Sequence, residues 1–252
     1  MLSIDASKAF DRVQYSKMFD TLISRDICPL IIRFILNSYL ISKSLVKWNK
    51  TQSEPFSINN GVKQGAVLSA PLFVLYVDNL LVKLNNNKSG CYIGNVCANT
   101  FGYADDIVIL SPTCKALTAL IDICEEYANE HKILFNPDKC TLLIFADTDF
   151  FEKNVKIMIS GCTVKNIKTE KHLGHTFQND KNIINFDAII KDIRVRSNII
   201  VNDFRPISWN AKATLFTSQC ASLYGCHLWN LEDKKVKELC TTWNVSCCIV
   251  LG

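Results

Sequence analysis

The sequence predicts an α+β fold: an antiparallel sheet flanked by helices, followed by a helical C-terminal region. Three observations carry this. Strand-like runs come in pairs joined by short turns, as at Asn99–Leu110 and Val155–Ile167, which favours hairpins over crossover-linked parallel strands. Segments with apolar residues at helical spacing lie between those pairs, as at Pro29–Leu40 and Thr113–His131. From about Asn179 the pattern is helical and more basic, with Lys191, Arg194, Arg196, Arg205 and Lys212. The expected division is therefore 1–178 for the mixed domain and 179–252 for the helical one.

Taken in order, Leu2-Ser3-Ile4 reads as a strand that runs directly into Asp5. A strand entered halfway leads to the expectation that upstream structure belongs with it. Tyr15–Ile23 carries Met18, Leu22 and Ile23 at helical spacing, and Pro29–Leu40 carries Ile31, Phe34, Ile35 and Tyr39. Val46–Asn60 reads as a polar hairpin anchored by Trp48 and Phe56. Gly61-Val62-Lys63-Gln64-Gly65 is a glycine-bracketed loop, and a long apolar helix follows over Ala66–Val82, with Pro71 tolerated in its first turns. The helix Thr113–His131 has a cap at Ser111 or Thr113 and a stripe of Leu117, Leu120, Ile121, Cys124 and Tyr127. Phe135-Asn136-Pro137-Asp138-Lys139 is a turn, Cys140–Ala146 a strand, and Lys171-His172-Leu173-Gly174-His175 follows the next strand pair.

Composition excludes several classes. With 252 residues, 48% hydrophobic and 21% charged, the chain is ordinary for a globular protein that buries a real core. A net charge of +4 permits a nucleic-acid partner without arguing for one. The longest apolar run, Ala66–Val82, is interrupted by Asp78 and Asn79 and falls short of the ~20 residues of a membrane span. The twelve cysteines are scattered with no C-x-x-C, and no basic head or apolar signal segment opens the chain. Reduced, mostly buried thiols in an intracellular protein are expected, with nucleus and cytoplasm unresolved. Cys162, His172 and His175 have the wrong spacing for a zinc site.

Tyr103-Ala104-Asp105-Asp106 lies between Asn99-Thr100-Phe101-Gly102 and Ile107-Val108-Ile109-Leu110. It reads as a hairpin with two acids at its tip. Adjacent carboxylates repel, and a turn at a sheet end has no structural need for two. A hard divalent cation reverses that penalty, because carboxylate oxygens are its preferred ligands. The plain alternative is a solvated turn, since Asp is a common turn residue.

The chain resembles the reverse transcriptases of non-LTR retrotransposons, and more loosely those of group II introns. The residues that carry the resemblance are Asp5-Ala6-Ser7-Lys8-Ala9-Phe10-Asp11, then Gly61-Val62-Lys63-Gln64-Gly65-Ala66-Val67-Leu68-Ser69, then Phe101-Gly102-Tyr103-Ala104-Asp105-Asp106. Phe135–Lys139, Lys171–Gly174 and Leu223–Trp229 follow in the same order. The resemblance implies a polymerase palm with an antiparallel sheet flanked by helices, a helical thumb-like region, and RNA-directed DNA synthesis. RNA template, DNA primer and deoxynucleoside triphosphates are the implied partners, with no membrane and no stated oligomeric state. The implied cofactor is magnesium, two ions about 3.5–4 Å apart, with manganese as an alternative.

The resemblance also implies roles. Asp5 and Asp105 would bridge both ions, and Asp106 would assist one more peripherally. Asp11 lacks that support and reads as a helix-cap or surface acid. Phe10 would lie under the incoming sugar, where a flat ring collides with a 2′-hydroxyl; as a lone Phe it would be core. Gln64 and Gly65 would contact the nascent pair, with Lys63 adding charge near phosphate or standing as a surface lysine. Lys139 matches the family's general acid, or is simply a turn residue. His172, Leu173 and Gly174 match the primer-gripping hairpin. The basic residues after Asn179 would track the duplex backbone, or form a solvated face.

Two departures from the family pattern stand out. Ser69-Ala70-Pro71 replaces Ser-Pro, which shifts the expected helix start by one residue. The family also places a fingers region ahead of the first Asp, and many such elements an endonuclease domain. The expectation is that this chain by itself polymerises poorly. A nucleic-acid-binding relic of the same fold is the alternative, and a two-metal nuclease a third reading in which Gln64 and Phe10 have no evident task.

Overall fold

The computed structural model describes residues 1–145, 155–179, 186–220, 223, 225–226 and 229–252. In chain order its elements are β1 (Leu2–Ile4), α1 (Tyr15–Ser24), α2 (Pro29–Leu40), β2 (Lys43–Ser44), β3 (Lys47–Trp48), β4 (Thr51–Gln52), β5 (Phe56–Ser57) and α3 (Ser69–Asn86). β6 (Tyr92–Ile93), β7 (Val96–Cys97), β8 (Thr100–Tyr103), β9 (Asp106–Ile109), α4 (Cys114–His131) and β10 (Thr141–Leu143) follow. The remainder is β11 (Met158–Ile159), β12 (Cys162–Thr163), β13 (Lys165–Ile167), β14 (Thr169–His172), β15 (His175–Gln178), α5 (Phe186–Asp203), α6 (Trp209–Cys220) and α7 (Lys234–Leu251). The chain divides into two compact units, Met1–Ile167 and Lys168–Gly252.

The first unit is built on a five-stranded sheet ordered β13-β10-β1-β9-β8. Every pairing is antiparallel except β10 with β13, which is parallel. Side chains alternate between the two faces of a strand. Leu2, Ile4, Ile107 and Ile109 point to one face and join the core with Leu80 and Leu84 of α3 and Leu120 and Tyr127 of α4. The other face carries Ser3, Asp106 and Val108.

The helices form where the sequence places them, with physical reasons visible at their ends. Pro29 opens α2 at its first position, and Thr113 caps α4 by accepting from the Ala116 amide at 3.1 Å. α4 ends at Lys132, whose left-handed φ of 54° sends the chain back towards the sheet. The predicted stripe of α4, Leu117 through Tyr127, is buried throughout.

Six expectations are corrected. α2 buries Ile35 and Tyr39 but leaves Ile31 and Phe34 exposed, because only one edge of this helix meets the core. Ile23 is likewise exposed at the end of α1. The Val46–Asn60 hairpin exists as two short ladders, β2 with β5 and β3 with β4, yet Trp48 and Phe56 are exposed and anchor nothing. α3 begins at Ser69, not Ala66, because Gly65 is left-handed at φ 80° and a turn closes from the Ser69 amide to the Ala66 carbonyl at 3.1 Å. Of the twelve cysteines only Cys124, Cys140 and Cys220 are buried. The strand predicted over Cys140–Ala146 is observed over Thr141–Leu143, and Ala146 lies outside the described residues.

In the second unit, Phe186, Ile190 and Ile193 of α5 pack with Leu239 of α7, and Ile200 packs with Phe216, Cys220 and Val250. Parts of its basic surface are engaged internally: Arg196 donates to the Gln219 carbonyl at 2.7 Å, and Arg194 to Thr242 Oγ1 at 3.2 Å. Within the expected C-terminal motif, Tyr224, His227 and Leu228 lie outside the described residues. Among the described residues no helix is long and apolar enough to cross a membrane.

Candidate active site

β1 pairs with β9 through Leu2–Ile109, Ser3–Val108 and Ile4–Ile107. Asp5 follows the last paired residue of β1, and Asp106 opens β9 next to Ile107, the partner of Ile4. By strand alternation Asp106 shares the face of Val108, opposite that of Ile107 and Ile109. β8 and β9 close at Tyr103–Asp106, so Ala104 and Asp105 form the two-residue turn. Ala104 sits at φ 54°, a left-handed backbone that a residue with a Cβ adopts only at an energetic cost. The turn's neighbour Gly102 lies against α3, where an added Cβ would meet Leu81 Cδ1 at 2.9 Å.

Asp5 is held from the other side by the Phe135–Cys140 turn. The Asn136 amide donates to the Asp5 carbonyl at 2.9 Å, and the Ser7 amide to the Leu134 carbonyl at 2.7 Å. Asn136 Oδ1 accepts from the Asp138 amide at 3.2 Å, which folds the turn tightly. The outcome is that Lys139 Nζ lies 3.7 Å from Asp5 Oδ2. Nothing in the sequence marked Asn136 as an anchor of Asp5.

The glycine loop is tied to the segment after Asp5. The Gly61 amide donates to the Val13 carbonyl and the Val62 amide to the Phe10 carbonyl, each at 2.8 Å. Gly61 has φ 87°, and an added Cβ would stand 2.9 Å from the Asp11 carbonyl oxygen, so glycine is required. Lys63, Gln64 and Gly65 are exposed beyond this junction. Phe10 is half-buried, stacked on Phe73 of α3 with centroids 4.7 Å apart and planes 14° from parallel. Asp11 is exposed and, with Tyr15, Ser42, Asn60 and Gln64, lines a cavity of about 600 Å³.

His172, Leu173 and Gly174 fall in the second unit, at the tip of the β14/β15 hairpin. Leu173 and Gly174 have φ of 47° and 81°, the left-handed pair that a tight two-residue turn needs.

The carboxylates at the end of β1 and β9 are donors that suit a hard cation, whereas the nearby Cys140 thiol is buried and engaged with the Asp5 backbone. Among the described residues, however, no three such groups converge closely enough to form a ready cage. Asp5 is instead neutralised by Lys139.

A sheet of this order, with one acid ending its central strand and two more at the neighbouring hairpin turn, defines a polymerase-type palm. The family model for reverse transcriptase (RNA-dependent DNA polymerase) matches residues 1–177, and the chain belongs to that family. Among similar proteins, the retrovirus-related Pol polyprotein of the type-2 retrotransposable element R2DM of Drosophila melanogaster is 32% identical over 138 residues, 55% of this chain and 13% of the relative. The corresponding R2 polyprotein of Nasonia vitripennis is 31% identical over 155 residues, 61% of this chain and 15% of the relative. The chain thus matches only a small part of either relative's length. A solved structure of telomerase from Candida albicans, with a fragment of telomeric RNA, aligns with 99% of this chain and 45% of its own at 12% identity and a TM-score of 0.48.

Proposed function

We propose that the chain carries the catalytic face of an RNA-directed DNA polymerase of non-LTR retrotransposon type, extending a DNA primer on an RNA template with deoxynucleoside triphosphates. The observation that carries this is that β1, which Asp5 follows, pairs with β9, which Asp106 opens, with Asp105 in the adjoining turn. Acids placed at the same end of two paired strands repel one another, and a divalent cation between them would offset that repulsion.

Asp5 and Asp105 would hold two magnesium ions, with Asp106 assisting and manganese able to substitute. The chemistry supplied at such a site by bound magnesium is activation of the primer 3′-hydroxyl and neutralisation of the leaving pyrophosphate. Lys139 Nζ, already beside Asp5, would donate a proton to the pyrophosphate oxygen. Phe10, backed by Phe73, would present its ring to the incoming sugar and reject a 2′-hydroxyl. Gln64, on the loop pinned by Gly61, would hydrogen-bond the nascent pair, with Lys63 near phosphate. The turn at His172, Leu173 and Gly174 would hold the primer end by its backbone.

Primer extension on RNA with magnesium tests this reading. Asp105→Asn lowers extension by at least ~100-fold if the carboxylate holds the reacting centre. An Asn variant that extends like the parent contradicts it.

A second reading, a nucleic-acid-binding relic without catalysis, is favoured by one observation: Lys139 Nζ lies 3.7 Å from Asp5 Oδ2, so a protein cation already stands beside that acid. Salt-dependent binding of an RNA–DNA duplex with no extension in either metal would select it.

A further inference from the structure

The hairpin Lys43–Ser57 is used by none of the roles above. Its two ladders form a ribbon closed by Asn49 and Lys50, with Asn49 at φ 53°. Yet it presents Trp48 at 77% exposure, with Val46 and Phe56 also exposed. Its charge is one-sided: from Ile41 to Asn60 stand Lys43, Lys47 and Lys50 against Glu54 alone. The cross-strand partner of Trp48 is Thr51, a small residue that leaves the indole face open.

An exposed indole among lysines is what single-stranded nucleic acid needs. A base stacks on the ring, and the flanking phosphates meet the ammonium groups. The root of the ribbon continues this surface. Ser42, Ser44 and Ile58 line the same cavity of about 600 Å³ as Asn60 and Gln64. A strand leaving the Gln64 loop therefore meets hydroxyls and amides, then the aromatic and basic ribbon.

We infer that the hairpin Lys43–Ser57 and the cavity at its root bind single-stranded nucleic acid, with Trp48 as stacking platform and Lys43, Lys47 and Lys50 as phosphate contacts. The inference rests on the polymerase reading only for the strand's identity, which would be unpaired template. Complementary charge favours a polynucleotide over an apolar protein partner.

Anisotropy of a labelled, unstructured RNA oligonucleotide, titrated with the full chain in chelator, tests this without involving the metal-binding acids. Trp48→Ala weakens binding about tenfold, and Trp48→Tyr stays within about threefold of the parent. Trp48→Leu behaves like the alanine variant, because an aliphatic side chain cannot stack. Lys43→Gln, Lys47→Gln and Lys50→Gln together reduce the slope of log affinity on log salt by about 2. Asp105→Asn retains RNA binding, so loss of extension and loss of this surface are separable. The inference is overturned if the parent binds no RNA, or if Trp48→Ala and the triple lysine variant both bind like the parent. Trp48→Leu binding like the parent also overturns it. So does Trp48-dependent binding to anionic vesicles without RNA binding.

Discussion

Lys139 Nζ stands 3.7 Å from Asp5 Oδ2, across 134 residues of sequence, because the Asn136 amide is bonded to the Asp5 carbonyl. The pair is largely open to solvent, so its contribution to folding is small, about 0–1 kcal/mol. The consequence proposed for it is functional, proton donation to the leaving pyrophosphate. Lys139→Gln leaves the thermal unfolding midpoint nearly unchanged but slows single-nucleotide incorporation by about 100-fold or more. Rapid-quench kinetics beside a melting curve separate the two effects. A parallel loss in both would make Lys139 a structural residue.

The glycine loop depends on a backbone that only glycine adopts without strain. Gly61→Ala forces a Cβ to 2.9 Å from the Asp11 carbonyl at φ 87°. The two hydrogen bonds that the Gly61 and Val62 amides donate to the Val13 and Phe10 carbonyls then break or stretch. Urea unfolding is expected to show a loss of about 2 kcal/mol.

Asn99 is fully buried, and its amide nitrogen donates to the Leu84 and Asn87 carbonyls at 2.9 and 2.8 Å. It thereby closes the C-terminal end of α3. Gly90 lies directly against Asn99 Oδ1, where any Cβ would collide. Asn99→Ala costs about 2–3 kcal/mol through the orphaned carbonyls. Gly90→Ala costs about 1–3 kcal/mol by overpacking. The double variant loses less than both together, because the smaller side chain vacates the collision. Equilibrium unfolding of the three variants measures that coupling.

His131 titrates against folding. It is buried, stacked 3.7 Å from the Tyr127 ring, and bonded through Nδ1 to the Tyr127 carbonyl at 3.1 Å. Burial holds its pKa below the ordinary 6.5, with smaller opposing effects from the Tyr127 carbonyl and Glu130 and further lowering by Lys17 and Lys83. The unfolded chain therefore takes up a proton first as pH falls. Stability from this group is complete above pH 6.5 and is lost as pH drops through the depressed folded value. Urea midpoints between about pH 5.5 and about pH 8 should decline on the acid side, and His131→Gln should flatten that decline.

Thiol accessibility follows the structure and not the cysteine count. Burial pushes the Cys124 thiol up to about 12 and also raises that of Cys140. Cys28, Cys114, Cys162, Cys226, Cys240 and Cys248 are exposed. Alkylation of the native chain followed by peptide mass analysis should mark these six and spare Cys124 and Cys140.

The legible parts of this fold were those fixed by local chemistry. Pro29 and Thr113 announce their helices because a proline ring and a capping hydroxyl act on adjacent backbone. The Tyr103–Asp106 turn was legible because two acids between β-formers are locally costly. What sequence could not supply was long-range. The parallel pairing of β10 with β13, the Asn136 bond to Asp5 and the stack of Phe10 on Phe73 depend on how distant segments meet. Trp48 and Phe34 were misassigned for a different reason: apolar character does not say whether a surface exists nearby to cover it.

Ferrous iron supplied in place of magnesium to the proposed site, followed by peroxide and mass mapping of backbone cuts, tests the convergence of the carboxylates most directly. A shared site produces cuts beside both Asp5 and the Asp105–Asp106 turn, and Asp105→Asn suppresses both sets together. Cuts confined to one of the two segments, or cuts near Asp5 that persist in Asp105→Asn, would contradict it.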